Sequence, residues 1–264
     1  MFQSGSEGRA AQQCAVLTRL LSPLLANIAL SMLDEHFTAA WAAMGDSNAR
    51  HRRRRQGEAT YRLIRYADDF VIVVHGTKAH AETLRDQAAA VLAPMGLRLS
   101  AAKTKICHID EGLDFLGFRI QRLPKRGSGK LTVYTYPTKK AVHSVTAKVR
   151  AVTRQGLNLP LALLLDRLAP ILRGWTNYFK HGVSEATFDY LRRFTWHRVL
   201  LWIRRKHRHA NWKWIRRRYL PGWWPTDGNA TLFDPGKVTV SRYRYRERIA
   251  SPWSAAKPSP APSA

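Results

Sequence analysis

The sequence predicts an α+β fold in two parts, an antiparallel sheet with helices followed by an all-helical, strongly basic region and an irregular tail. Three observations predict it. Two β-rich runs flank the acidic pair Asp68-Asp69, with helical segments on either side and short strands after them. From Pro137 onward apolar residues recur at helical spacing. The balance of 44 Lys+Arg against 18 Asp+Glu gives a net charge of +26.

Residues 1–13 are rich in Gly, Ser, Gln and Ala and read as unstructured. Ser22-Pro23 reads as a helix start, Ser as N-cap and Pro at the first helical position. That helix is expected to carry Leu24, Leu25, Ile28, Leu33 and Phe37 into a core. The segment 45–58, GDSNARHRRRRQGE, reads as a polar, basic loop. YRLIRYADDFVIVVHG reads as a β-hairpin with Asp68 and Asp69 at its tight turn. A helix over 78–95 ends at Pro94 and Gly96, and short strands are expected around 105–109, 114–121 and 131–136. The loop PKRGSGK joins the last two.

Thr138 can cap a helix whose apolar positions are Val142, Val145, Val149 and Val152, with Lys139, Lys140, Lys148 and Arg150 on its other faces. Helices over 160–180 and 184–208 follow, separated by a turn near Gly182. Beyond Pro221 the chain is Trp/Pro/Gly-rich, then basic and aromatic (SRYRYRERI). It ends in SAAKPSPAPSA, a disordered tail by composition.

At 264 residues the chain has room for one large domain or two modest ones, and 45% hydrophobic residues suffice for a core. The charge calls for a polyanionic partner, because neutralising phosphates releases their condensed counterions. An acidic membrane surface would also attract it. No apolar run, however, reaches the roughly 20 residues needed to span a bilayer, and no signal-peptide pattern is present. Nucleic acid is favoured and a membrane is not. Cys14 and Cys107 are far apart, which argues against a disulfide framework, a disulfide-linked partner and a zinc site. His207 and His209 have no Cys or carboxylate nearby and read as part of a basic face.

The sharpest chemical signal is Tyr66-Ala67-Asp68-Asp69. Nucleotidyl transfer uses two divalent metals about 3.5–4 Å apart, hard cations that prefer oxygen ligands. Carboxylates at a strand turn are held by the flanking ladder and aimed outward. The bland alternative is that Asp-Asp merely favours a turn.

The second signal is cationic. Arg204, Arg205, Lys206, Lys213, Arg216, Arg217 and Arg218 interleave with Trp196, Trp202, Trp212 and Trp214, and no acid occurs from Tyr190 to Thr226. Arginine forks phosphates and stacks on bases, and aromatics stack on unpaired ones. The tryptophans are expected mostly in the core. A solvated face usually mixes charge signs, so that reading is weak for the arginines. Arg52, Arg53, Arg54 and Arg55 form a second basic run, expected to touch backbone phosphates.

These motifs resemble, in order, those of group II intron reverse transcriptases. Tyr66-Ala-Asp-Asp-Phe-Val-Ile72 resembles the catalytic signature, and Leu21-Ser-Pro-Leu-Leu-Ala-Asn-Ile28 with Leu33-Asp34 and Phe37 resembles the helix before it. Gly96-Leu-Arg-Leu-Ser100 with Lys103-Thr104 resembles the segment after it, and Phe115-Leu-Gly-Phe118 the primer-side hairpin. Arg173-Gly-Trp175 with Asn177-Tyr-Phe179 resembles the helical thumb, or maturase domain X. Asn211-Trp-Lys-Trp214, Phe233-Asp-Pro235 and Arg242-Tyr-Arg-Tyr-Arg246 resemble the bacterial tail that follows it.

The resemblance implies a divergent leader (1–20), a partial palm (21–136), the thumb (137–218), a basic aromatic tail segment (219–253) and a disordered end (254–264). It implies Mg²⁺ held by Asp68 and Asp69, Asp68 the more direct ligand. Tyr66 and Ala67 would lie beside nucleotide or primer, Lys103 near the incoming triphosphate, and Leu116, Gly117 and Phe118 under the primer strand. Gly117 is also open to the reading that a bulge or close backbone approach needs no side chain. Structured intron RNA would be bound through the basic residues, with Lys139, Lys140 and Arg173 among them, and a DNA primer or target strand would be a second partner. The setting implied is a bacterial cytoplasmic ribonucleoprotein.

The family's upstream catalytic aspartate and fingers have no counterpart here, and Val16-Leu17-Thr18 stands where the family carries Pro-Gln-Gly. The expectation is therefore a fragment with an incomplete two-metal site and no polymerisation on its own. The alternatives are a non-catalytic RNA-binding maturase remnant and a relic that does not fold.

Overall fold

Two separate apolar cores organise the chain, one in each of the units Met1–His108 and Ile109–Ala264. The computed structural model describes residues 7–125, 127–154 and 156–241, with side chains of the first helix from residue 24 onward. No helix among these is long and apolar enough to cross a membrane.

The first unit contains α1 (Glu7–Ala43), α2 (Ser47–Arg55), the hairpin β1 (Thr60–Tyr66) and β2 (Asp69–His75), and α3 (Lys78–Leu92). Leu30, Leu33 and Phe37 of α1 recur at helical spacing and meet Leu84, Ala88 and Leu92 of α3. The hairpin adds Tyr61, Leu63, Phe70, Ile72 and Val74, alternate residues from one face of each strand. Burying a side chain such as Leu33 or Phe37 contributes about 1.5–3 kcal/mol.

Several expectations need correction in this unit. Helix α1 begins at Glu7, so Ser22-Pro23 lies inside it and residues 7–13 are helical; Ala, Gln, Leu and Arg over 9–21 are strong helix formers. Residues 1–6 lie outside the described part. Leu24, Leu25 and Ile28 do not enter the core but stand 55%, 62% and 56% exposed. Among the described residues they are not part of the cluster that α1 forms with α3 and the hairpin. The basic segment is not a loop: α2 forms because Asp46 caps it, accepting from the Ala49 N–H at 2.8 Å. α3 is capped by Thr77, which accepts from His80 N–H, and the short turn Ala93–Met95 that follows it stops at Gly96, with φ of 70°.

The second unit opens with the sheet β3 (Leu113–Phe115), β4 (Phe118–Pro124) and β5 (Leu131–Pro137), antiparallel in that order. Residues 105–109 form no strand: β3 pairs with β4 only over Phe118–Ile120, and this segment meets the rest of that edge by a single backbone bond. Ile109 only lends its carbonyl to Arg122 N–H at 3.0 Å. Helices α4 (Lys139–Arg154), α5 (Leu161–Phe179), α6 (Glu185–Lys206) and α7 (Trp212–Tyr219) follow, then a small hairpin of β6 (Thr226–Asp227) and β7 (Ala230–Thr231). Thr138 caps α4, its hydroxyl accepting from Ala141 N–H at 3.1 Å.

Val145 and Val149 of α4 meet the stripe Leu161, Leu164, Leu165, Leu168 and Leu172 of α5 and Leu191, Val199, Trp202 and Ile203 of α6. Val142 and Val152 are half-buried. Ile215, Leu220 and Leu232 close the core beneath α7. The α5 N-terminus begins at Pro160, which offers no side-chain cap. Asp227 supplies one from β6, accepting from Ala162 N–H at 3.3 Å while pairing with Arg218 at 3.1 Å. The run after Ser241 and the terminal tail fall outside the described residues.

Candidate metal-binding turn and nucleic-acid interface

Register places Tyr66 opposite Asp69, leaving Ala67-Asp68 as a two-residue turn. Asp69 is thus not in the turn but opens β2. Among the four residues only Ala67 has a positive φ, 54°, the pattern of a type II′ turn with alanine where glycine is preferred. Such strain persists only where surrounding contacts over-determine it.

Arg65 supplies those contacts. Its strand parity points it toward α1, where its guanidinium donates to Asp34 at 2.8 and 3.1 Å and to the Asn27 side chain at 3.0 Å. It also donates to the Ala67 carbonyl at 2.6 Å. Hydrogen bonding to Asp34 raises the Arg65 pKa above its ordinary value despite partial burial. Arg65 thereby ties the middle of α1 to the strained turn. Arg65→Ala should lower the stability of the first unit by about 1.5–3 kcal/mol, the scale of hydrogen bonds to charged groups. Arg65→Lys should recover little, since an ammonium cannot fork across these acceptors. Denaturant melts with midpoints equal to wild type would exclude the clamp.

Asp68 and Asp69 are exposed at this tip, as are Tyr66 and Ala67. Their oxygens suit a hard divalent cation. The number of donors does not: among the described residues no group of three or more His, Cys, Asp or Glu is placed to hold a metal. The pair fits Mg²⁺ in chemistry but not as a complete cage.

Lys103 lies in an exposed turn, its N–H donating to the Ser100 carbonyl at 3.0 Å. In the second unit, Leu116 and Gly117 form the β3–β4 turn with φ of 49° and 78°. Phe118 packs on Tyr178 and Phe179, at centroid distances of 5.6 and 4.9 Å. Tyr178 donates to the Leu116 carbonyl at 2.8 Å, and a Cβ at Gly117 would lie 3.3 Å from Phe179. Left-handed geometry and close approach account for this glycine.

The basic residues sort into two kinds. Some brace the fold. Arg54 donates to Thr60 at 2.8 Å, and Arg53 lies 2.8 Å from Glu58, a charge pair without hydrogen-bond alignment at Nε. Arg205 donates to the Thr153 carbonyl at 2.6 Å, at the C-terminus of α4, and Lys206 donates to the Leu159 carbonyl. Arg173 lies over Phe233, Arg216 over Trp223, and Arg218 pairs with Asp227.

The others face solvent with no ion pair among the described residues: Arg52, Arg55, Lys139, Lys140, Arg204, Lys213 and Arg217, together with Arg193 and Arg208. Trp202 is fully buried, but Trp212 and Trp214 are exposed, so the core reading fails for those two. Reading the sequence did not find Arg65 or the surface ring Trp223. Arg65 had a signal, its place on the inward parity of β1.

The comparisons agree with this division. The family model described as reverse transcriptase (RNA-dependent DNA polymerase) matches residues 19–120, and that for the group II intron, maturase-specific domain matches 142–220. Protein YkfC of Escherichia coli is 35% identical over 149 residues, covering 50% of this chain and 39% of that protein. The putative COX1/OXI3 intron 1 protein of Saccharomyces cerevisiae is 28% identical over 122 residues, covering 46% of this chain and 14% of that protein. The chain therefore spans well under half the length of either relative. With the acidic hairpin inside the first matched segment and the cationic helices inside the second, the chain belongs to the group II intron reverse transcriptase/maturase family.

Proposed function

We propose that this chain binds structured intron RNA through the second unit and assists its folding for splicing, within a cytoplasmic ribonucleoprotein. The supporting observation is the surface of α6 and α7 in the maturase-matched segment. Arg204, Arg208, Lys213 and Arg217 point to solvent there without acidic neighbours in sequence. A DNA primer or target strand is the second polyanion such a surface accepts, because phosphate contacts carry no sequence information. The test is competition. A group II intron RNA should displace a labelled intron RNA from the chain at least tenfold better than unrelated RNA of equal length, a difference of about 1.4 kcal/mol. Equal competition would reduce the reading to non-specific polyanion binding.

Asp68 and Asp69 are proposed as Mg²⁺ ligands of a reverse-transcriptase palm. When bound, such ions stabilise the attacking and leaving oxygens of nucleotidyl transfer. The chain's own contribution is to hold Asp68 in the turn and Asp69 at the start of β2, at a hairpin tip fixed by Arg65. Mn²⁺ titrated as a paramagnetic stand-in should broaden amide signals at residues 66–70, and Asp68→Asn with Asp69→Asn should abolish the effect. Broadening that persists in the double variant would place the metal elsewhere.

A further inference from the structure

Tryptophan is the largest apolar side chain, and holding one half-exposed in a strained backbone conformation forgoes about half of what its burial would contribute. Trp223 is in that position. It follows Gly222 in a turn where both residues are left-handed, with φ of 59° and 64°, and the residue is 52% exposed. For an L side chain this region is disfavoured.

The turn is fixed from both ends. Leu220 before it is buried, and Trp224 after it donates its indole N–H to the Leu232 carbonyl at 2.7 Å. The Trp223 carbonyl itself accepts from the Trp196 indole N–H at 2.9 Å. The backbone is thus locked while the indole is held outward.

What surrounds the ring indicates a ligand class. Arg216 lies with its guanidinium carbon 4.4 Å from the Trp223 centroid, and Trp212, one helical turn before it on α7, stands 6.5 Å away at 38°. Lys213 and Arg217 on the same short helix are exposed. The nearest following acid, Asp227, is engaged by Arg218 and Ala162. A protein partner would have to satisfy this concentrated positive charge with acids of its own. An unpaired nucleotide satisfies it with its own phosphate while its base covers the indole.

We infer that Trp223 and Trp212, with Arg216 beside the Trp223 ring, form a stacking platform for unpaired bases of single-stranded RNA. The inference rests on the RNA-binding reading of the second unit and adds which nucleotides it takes: splayed, single-stranded ones rather than duplex.

The experiment uses the full chain with a short single-stranded oligoadenylate and the same strand paired with oligouridylate, at fixed salt. Trp223→Gly relieves the left-handed φ, so its thermal midpoint should equal or exceed wild type. Its affinity for the single strand should still fall about tenfold, within the range known for removing one ring from beneath a base. Trp212→Ala should weaken the same probe, and Trp223→Phe should retain most of the affinity. Duplex binding and the salt slope should stay unchanged in all three, since stacking releases no counterions. Single-strand affinity unchanged in Trp223→Gly and Trp212→Ala, with RNA binding otherwise intact, overturns the platform and leaves the RNA-binding reading standing. An equal loss for single strand and duplex also overturns it, because the effect would then be electrostatic. A wild-type chain that binds neither probe nor intron RNA removes both.

Discussion

Raising salt from about 50 to 200 mM should weaken RNA binding by the chain by roughly a thousandfold or more. Each phosphate neutralised by Lys or Arg releases a condensed counterion, and about 6–10 such neutralised phosphates produce a loss of 10³–10⁵ over that range. Net charge alone would not decide which residues carry the effect, but their placement does. Arg204, Lys213 and Arg217 face solvent without ion pairs among the described residues. Replacing all three by alanine should make the log–log slope shallower by about 0.7 to 0.9 for each phosphate no longer neutralised, with an unchanged melting profile. Arg205 and Lys206 hold the backbone carbonyls of Thr153 and Leu159. Their replacement should lower the melting midpoint and change the slope little. A triple variant with wild-type slope, or an Arg205/Lys206 variant that alone flattens it, would reverse the assignment.

This sorting marks the boundary of what the sequence could tell. Local signals were readable where one residue type has one local use. Thr138 capping α4, Gly96 ending the α3 region and the alternating runs around Asp68 were of that kind, and each has its reason within a few residues. The acidic tip of the candidate site was readable for the same cause. What failed depended on distant partners. Leu24, Leu25 and Ile28 are as apolar as Leu33, yet among the described residues they stay outside the cluster that α1 forms with α3 and the hairpin. Helix α2 carries no apolar stripe, so its run of arginines masked the cap at Asp46. Arg204 and Arg205 look alike in sequence, yet Arg205 lies over the C-terminus of α4 and Arg204 faces water. The tryptophans divide in the same way, Trp202 inward and Trp212 outward, by which face of a helix meets Val149 and Leu168.

Trp202→Ala is expected to cost the second unit about 3–5 kcal/mol, the scale for truncating a buried aromatic. That is a large share of the roughly 5–15 kcal/mol that holds a typical domain together. Trp202 has no exposed surface and sits among Val199, Ile203 and the leucines of α5. Its ring also lies 5.2 Å beneath the Lys206 ammonium, which in turn holds the Leu159 carbonyl. The truncation therefore leaves a cavity and removes the surface on which Lys206 rests. Phe37→Ala should cost a similar amount in the first unit, where Phe37 packs edge-on against Tyr61 at 5.9 Å. Because the two cores share no residue, calorimetry should show each substitution lowering a different transition. Only Trp202→Ala should abolish RNA binding at temperatures where the wild type still binds. A single transition lowered equally by both would mean that the cores melt as one. Loss of RNA binding in Phe37→Ala while the second transition is intact would place the RNA contacts in the first unit instead.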